Sequence, residues 1–223
     1  VVTGGAHGMS DLKWFKDHLP ADAAVVDLTT AYTTIGVWGP RARDIVASVT
    51  RADLSNEAFK FGTCRTIEIG SQLVLASRIS YVGDLGWELY VPTEFAASVY
   101  DTLTDAGQDF GLRDAGYYAI EAMRLEKGYR AWGRELTPDC TPYEAGLGFA
   151  VKLEKAGGFL GRDSLLEARN QPLRRRCLSL LRGRHAPLAP LALRRDQEHG
   201  RGSGRRLPGR WPGDGRSALL HGV

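Results

Sequence analysis

The stretch Ser80–Pro92, written SYVGDLGWELYVP, limits what this chain can fold into more than any other. Side chains alternate faces along an extended strand. Leu85, Trp87, Leu89 and Val91 therefore share one face, and Glu88 and Tyr90 share the other. Gly86–Val91 reads as a strand that Pro92 ends. Its neighbours give the same type of signal. Ala24–Leu28 and Tyr32–Trp38 are strand candidates rich in Val, Ile, Thr and aromatics. Cys64–Ile69 and Gln72–Val82 form a candidate hairpin around Gly70-Ser71.

Helical segments lie between these strands. Val1–Thr3 reads as the end of a strand, and the glycine-rich turn 4–8 follows it. Ser10 is then placed to cap a helix through about Leu19, with Leu12, Phe15 and Leu19 as its apolar face. A second helix starts at Gly39-Pro40 and runs to about Val49. Thr93 is the expected cap of a helix over Phe95–Asp105, which stops near Gly107. A further helix spans about Ala115–Lys127. Gly148–Leu153 reads as a strand and Asp163–Asn170 as a short helix. Thr141-Pro142-Tyr143-Glu144 has capping-box spacing. Mixed elements with hairpins between adjacent strands fit an α+β domain better than a doubly wound parallel sheet.

Composition excludes several classes. Hydrophobic residues make up 43% of the 223 and charged residues 25%, as in a globular chain. No apolar run approaches the roughly 20 residues that span a bilayer, and no signal peptide is visible. Cys64, Cys140 and Cys177 show no C-x-x-C pattern, so buried or incidental thiols are expected. The five histidines form no metal-ligand pattern. The glycine turn lacks both G-x-G-x-x-G and G-x-x-x-x-G-K-[ST] spacing, and no G-x-S-x-G elbow occurs.

Charge divides the chain. Residues 1–173 carry net −6, whereas residues 174–223 carry net +9, with 12 Arg and no Lys. After Pro172 the strand-forming residues disappear and Arg, Gly, Leu, Pro and Ala dominate. Residues 200–216 offer too little apolar area to offset their ordering entropy. The expectation is a shifted reading frame in GC-rich codons, entering at about residues 182–190. A basic nucleic-acid arm is the rival, but the tail's one aromatic, Trp211, gives no interleaved stacking surface.

Glu88 is the residue that carries chemistry. A glutamate in an otherwise apolar strand is costly to bury without partners. A pterin ring offers an amino group and an adjacent ring N–H, two donors in a row that a carboxylate accepts together. Nearby tyrosines could stack on such a ring. A solvent-facing glutamate on a half-exposed strand is the alternative, and residue spacing alone favours it. In Ala115–Gly133, Tyr118, Ala122 and Leu125 form one helical stripe. Glu121 and Arg124, three apart, could pair on the helix surface.

Three strings, YVGDLGWELYVP, RLEKGYRAWGRELT and TPYEAGLGFAV, resemble in order and spacing the folate-binding halves of sarcosine and dimethylglycine dehydrogenases. WGPRARDIV and FLGRDSLL agree with that resemblance, which covers about residues 1–172. The glycine-cleavage aminomethyltransferase is the wider relative. The resemblance implies the aminomethyltransferase folate-binding fold, with antiparallel or mixed sheets and packed helices. It also implies N-terminal truncation and a C-terminal β-barrel domain that is missing or corrupted. Residues 1–172 are then the folate-binding domain, and residues 173–223 a frameshifted or disordered remnant of the barrel.

The implied activity is one-carbon (aminomethyl) transfer to tetrahydrofolate, giving 5,10-methylenetetrahydrofolate. A free-standing aminomethyltransferase and a non-transferase folate module of the iron–sulfur assembly type are the alternatives. The latter carries K-G-C-Y-x-G-Q-E, where this chain has Gly157–Asp163 without cysteine. The implied folate-binding residues are Glu88, Tyr81, Tyr90, Trp87, Glu121 and Trp132. No metal ligand is assigned. The family's catalytic aspartate falls upstream of Val1, so the chain alone is expected to be inactive. Ile120 stands where the transferase has a folate-binding arginine. The implied partners are folate and a methylamine-derived one-carbon donor, with no nucleic acid and no membrane. FAD would belong to a flavin dehydrogenase module, fused or separate. The implied compartment is bacterial cytoplasm or mitochondrial matrix.

Overall fold

A computed structural model describes residues 1–177 and the backbone of 218–222. The chain forms two compact units. The first contains residues 1–79 and 85–114 and the strand at 218–222. The second contains residues 80–84 and, within the described part, 115–177.

The first unit is built on one sheet. Its strands are β1 (Tyr32–Trp38), β2 (Cys64–Ile69), β3 (Gln72–Ser77), β4 (Gly86–Pro92), β5 (Arg113–Asp114) and β6 (Ala218–Gly222), in the order β2-β3-β4-β1-β6-β5. All neighbours are antiparallel except β5 and β6. Strand β6 pairs with β1 from Thr34↔Gly222 to Trp38↔Ala218. Residues 178–217, where the frame shift is expected, lie outside the described residues.

Alternation in β1 and β4 places the core on one face. Ile35 and Val37 of β1 are buried with Trp87, Leu89 and Val91 of β4. Ile67, Ile69, Val74 and Ala76 extend that face across β2 and β3. Ile45 and Val46 of helix α2 (Ala42–Ser48) belong to the same core. Val99 and Leu103 of helix α3 (Ala96–Gly107) do so as well. Their i, i+4 spacing puts both on one side of α3. The β2–β3 turn needs two residues, and Gly70 has φ 59°. A positive angle suits the first central position of a II′ hairpin turn, where a Cβ would be strained.

Several sequence expectations fail here. Val1–Thr3 and Ala24–Leu28 are not strands. Valine-rich composition favours a strand only where a partner can complete the hydrogen-bond ladder, and neither segment has one among the described residues. Helix α1 (Gly8–His18) starts before Ser10, whose hydroxyl donates to His7 O instead of capping. Thr93 also does not cap; its hydroxyl donates to Thr30 O. Strand β3 ends at Ser77, not Val82, as the chain passes into the second unit at Ser80.

The second unit holds helices α4 (Tyr117–Glu126) and α5 (Arg162–Asn170), joined by turns. Gly148–Ala150 is a 3₁₀ turn and not part of a strand. The expected capping box forms on a single turn: Thr141 N–H donates to Glu144 Oε2 and Glu144 N–H to Thr141 Oγ1. Glu144 is buried, and its Oε1 accepts from Arg174 Nε at 3.2 Å. The turn does not continue directly into an α-helix.

Candidate functional site

The six expected site residues fall in both units. Trp87, Glu88 and Tyr90 lie on β4 of the first. Tyr81, Glu121 and Trp132 belong to the second. Each group is described within its own unit.

On β4 the pleat gives Trp87 and Glu88 opposite roles. Trp87 is fully buried, with its ring edge-on to Phe59 at 6.1 Å between centroids. It belongs to the hydrophobic core of the first unit. Glu88 and Tyr90 occupy the other face and are half-buried. Tyr90 donates its hydroxyl to Glu88 Oε2 at 2.8 Å. Burial pushes the Tyr90 phenol well above its ordinary range, and the bond to Glu88 adds to this. In this bond Tyr90 is the donor and Glu88 the acceptor. Gly36 of β1 and Ser77 of β3 are the cross-strand neighbours of Glu88. Both are small, and the Trp38 ring lies over Gly36, where a Cβ would stand 2.9 Å from it.

In the second unit the predicted Glu121–Arg124 pair forms, at 2.6 Å. It is not a surface pair: Arg124 is 0% exposed. Tyr118, on the stripe expected to pack, is 93% exposed instead. The inversion comes from the segment after α4. Gly128 has φ 72° and turns the chain, and residues 129–136 return past the helix. Arg124 Nη1 donates to Glu135 Oε2 at 2.7 Å and to Tyr129 O at 2.9 Å. Glu135 Oε2 also accepts from Ala131 N–H. A planar guanidinium spreads five donors over three nitrogens and so can serve two carboxylates and a carbonyl that lie apart, whereas the three donors of a lysine share one nitrogen. The spacing of Glu121 and Arg124 is legible in the sequence, but Glu135 lies eleven residues beyond Arg124 and carries no periodic signal.

Tyr81 sits beside this network. Its ring lies 6.4 Å from that of Tyr129, and burial raises its phenol above the usual value. Tyr129, which the sequence did not single out, is thus part of the cluster. Trp132 is 58% exposed and bridges backbone with Leu136. Among the described residues no group of His, Cys, Asp and Glu is placed to hold a metal ion.

The charges of this unit predict acid sensitivity. Arg124 holds the Glu121 carboxyl below its usual range. Burial pushes Glu135 up, but the Ala131 N–H and Arg124 outweigh it and the net direction is down. The Thr141 N–H and Arg174 hold Glu144 down. Depressed carboxyl groups stabilise the fold above their unfolded pKa, and that contribution is lost as pH falls through the folded one. Stability should therefore be flat near neutrality and fall below about pH 4.5. Denaturant midpoints at pH 7, 5, 4 and 3 would check this; a midpoint unchanged to pH 3 would contradict it.

Comparison with known proteins gives this geometry its family. Residues 1–155 match the GCVT N-terminal domain. Mouse mitochondrial dimethylglycine dehydrogenase is 40% identical over 183 residues, 81% of this chain and 21% of its own. Mouse mitochondrial sarcosine dehydrogenase is 40% identical over 84% of this chain and 21% of its own. The aminomethyltransferase of Caldanaerobacter subterraneus is 34% identical over 79% of this chain and 47% of its own. The chain belongs to the GCVT aminomethyltransferase-type domain family. It is related to the sarcosine and dimethylglycine dehydrogenases, and spans about a fifth of the length of those two relatives.

Proposed function

We propose that this chain binds tetrahydrofolate and serves as the one-carbon (aminomethyl) transfer part of a sarcosine/dimethylglycine dehydrogenase-like protein. The product would be 5,10-methylenetetrahydrofolate. The observation that carries this reading is Glu88: a half-buried carboxylate on an otherwise well-packed strand, oriented by the Tyr90 hydroxyl. Only Oε2 is engaged by a described residue, so Oε1 and the second lone pair of Oε2 can receive the paired donors of a pterin. The residues present fit that group. Tetrahydrofolate, when bound, supplies the ring nitrogens that accept the one-carbon unit.

This chain's own residues would bind and orient the ring. Glu88 would fix its amino edge and Tyr90 would hold Glu88 in place; in the second unit, Tyr81 and Trp132 are proposed as folate-binding residues from the motif strings alone. Residues 1–172 would make up the folate-binding part. The one-carbon donor would be derived from a methylamine and released by a flavin dehydrogenase module, fused or separate. Bacterial cytoplasm or the mitochondrial matrix would be its compartment. Among the described residues no helix is long and apolar enough to cross a membrane.

Titration of the full chain with 5-formyltetrahydrofolate tests the proposal. Saturable binding is expected, and Glu88→Gln should weaken it by about 1–3 kcal/mol, since Gln loses an acceptor and misplaces a donor. Equal affinity of parent and variant would remove Glu88 from the site.

A further inference from the structure

We infer that Arg124 is a positioning residue for folate binding: with Glu135 it fixes the 128–136 segment so that Tyr129 sets the pose of the Tyr81 ring. The inference rests on the proposed folate role of Tyr81 and adds Tyr129, Glu135 and Arg124 to it. A buried arginine at the foot of an exposed segment needs a reason. Arginine is among the residues least often fully buried, and burying its charge is costly unless every partner is supplied. Here the partners of the two Nη groups come from two places, while Nε is buried without a partner. Glu121 belongs to the same helix, whereas Glu135 and the Tyr129 carbonyl belong to the returning segment. Arg124 therefore ties that segment to α4 at two points, Tyr129 and Glu135.

What the tie orders is aromatic. Tyr129 is 41% exposed, and its ring lies 6.4 Å from that of Tyr81, tilted by 49°. The turn that carries Tyr81 is closed down on the same residues. Gly83 has φ 75°, and a Cβ there would stand 2.6 Å from the Tyr129 ring and 2.7 Å from Lys127 Cγ. Lys127 Nζ also pairs with Asp84 at 2.7 Å. The chain from Arg124 to Tyr129 backbone, Tyr129 ring and Tyr81 ring is thus continuous. Core packing does not account for it, because Tyr129 lies at the surface. A ligand that stacks on Tyr81 does account for it, because stacking depends on ring orientation.

The test uses Tyr129→Leu and Glu135→Gln, separately and combined, in the full chain. Arg124 itself is left in place because its loss threatens the fold. Glu135→Gln keeps shape and one acceptor while weakening the clamp, and Tyr129→Leu removes a surface ring. Affinity for 5-formyltetrahydrofolate is measured alongside thermal unfolding. Each single variant should bind about five- to tenfold more weakly, and the double variant no more weakly than the worse single, because both act through one pose of Tyr81. Glu135→Gln that lowers the melting temperature but binds like the parent would mean a structural clamp only and would overturn the inference. So would losses that multiply in the double variant. In either case the folate reading stands if the parent binds and Glu88→Gln binds more weakly. A parent that fails to bind overturns both.

Discussion

Replacing Arg124 by methionine should destabilise the protein by about 3–5 kcal/mol, the range for breaking a buried ion pair from one side. Arg124 is fully buried and donates to Glu121, Glu135 and the Tyr129 carbonyl. Methionine replaces most of the volume, so a cavity contributes little. The loss comes from the acceptors left behind. Glu121 and Glu135 keep about a quarter of their side-chain surface in water, which limits the effect towards the lower end of that range. Arg124→Lys keeps the charge but, with one donor nitrogen in place of three, should not reproduce the contacts to both carboxylates and the carbonyl, so it should fall between parent and Met. Urea midpoints for the three proteins at pH 7 would show the order. A further comparison separates charge from packing. Arg124→Met combined with Glu121→Gln and Glu135→Gln should recover part of the loss, because the stranded charges are gone. If Arg124→Met unfolds at the same urea concentration as the parent, the network has no stabilising role.

Gly86→Val should cost about 3 kcal/mol, at the upper end of overpacking effects. Gly86 faces Trp38 at the end of the β1–β4 ladder. A Cβ built on Gly86 overlaps the carbonyl oxygen of Val37 and stands 2.8 Å from Trp38 Cα. Both obstacles are backbone atoms of a central strand, so no rotamer change relieves them. The Trp38 ring lies close as well, and its indole N–H donates to Ile79 O, so turning the ring away would break that bond. Relief would require β4 to move off β1. Gly8→Ala is the control: nothing lies within 4 Å of a Cβ there, and alanine favours a helix over glycine by up to about 1 kcal/mol. Thermal unfolding should show a marked fall for the first variant and no fall for the second. Comparable melting temperatures for Gly86→Val and parent would mean that the Gly86–Trp38 approach is not required.

Part of this architecture is legible in the amino-acid sequence itself. Tyr32–Trp38 and Cys64–Ile69 are strands with the bounds expected, because each carries strand-forming residues and ends at turn-forming ones. The split of SYVGDLGWELYVP into a buried face and an open one follows from the period of two, and puts Glu88 and Tyr90 side by side on the open face. The capping-box spacing of Thr141 and Glu144 is legible too, although the helix it announces does not continue. The family's motif strings lie within residues 1–155 or just beyond. These are local properties: alternation, turn chemistry and side-chain-to-backbone hydrogen bonds act over a few residues and leave a pattern there.

Tertiary structure decided the rest. Ala24–Leu28 has strand composition but no strand beside it among the described residues, and an unpaired ladder is better solvated than folded. Alternation put Trp87 on the apolar face of its strand, but that Phe59 is the ring it meets edge-on, from 28 residues away, was decided by the fold. Arg124 is the plainest case. Its i, i+3 partner placed it on a helix surface, and a segment returning with Glu135 and the Tyr129 carbonyl buried it. A charge can leave water only where several partners meet, and those partners come from residues 121, 129 and 135, a convergence that no local spacing encodes.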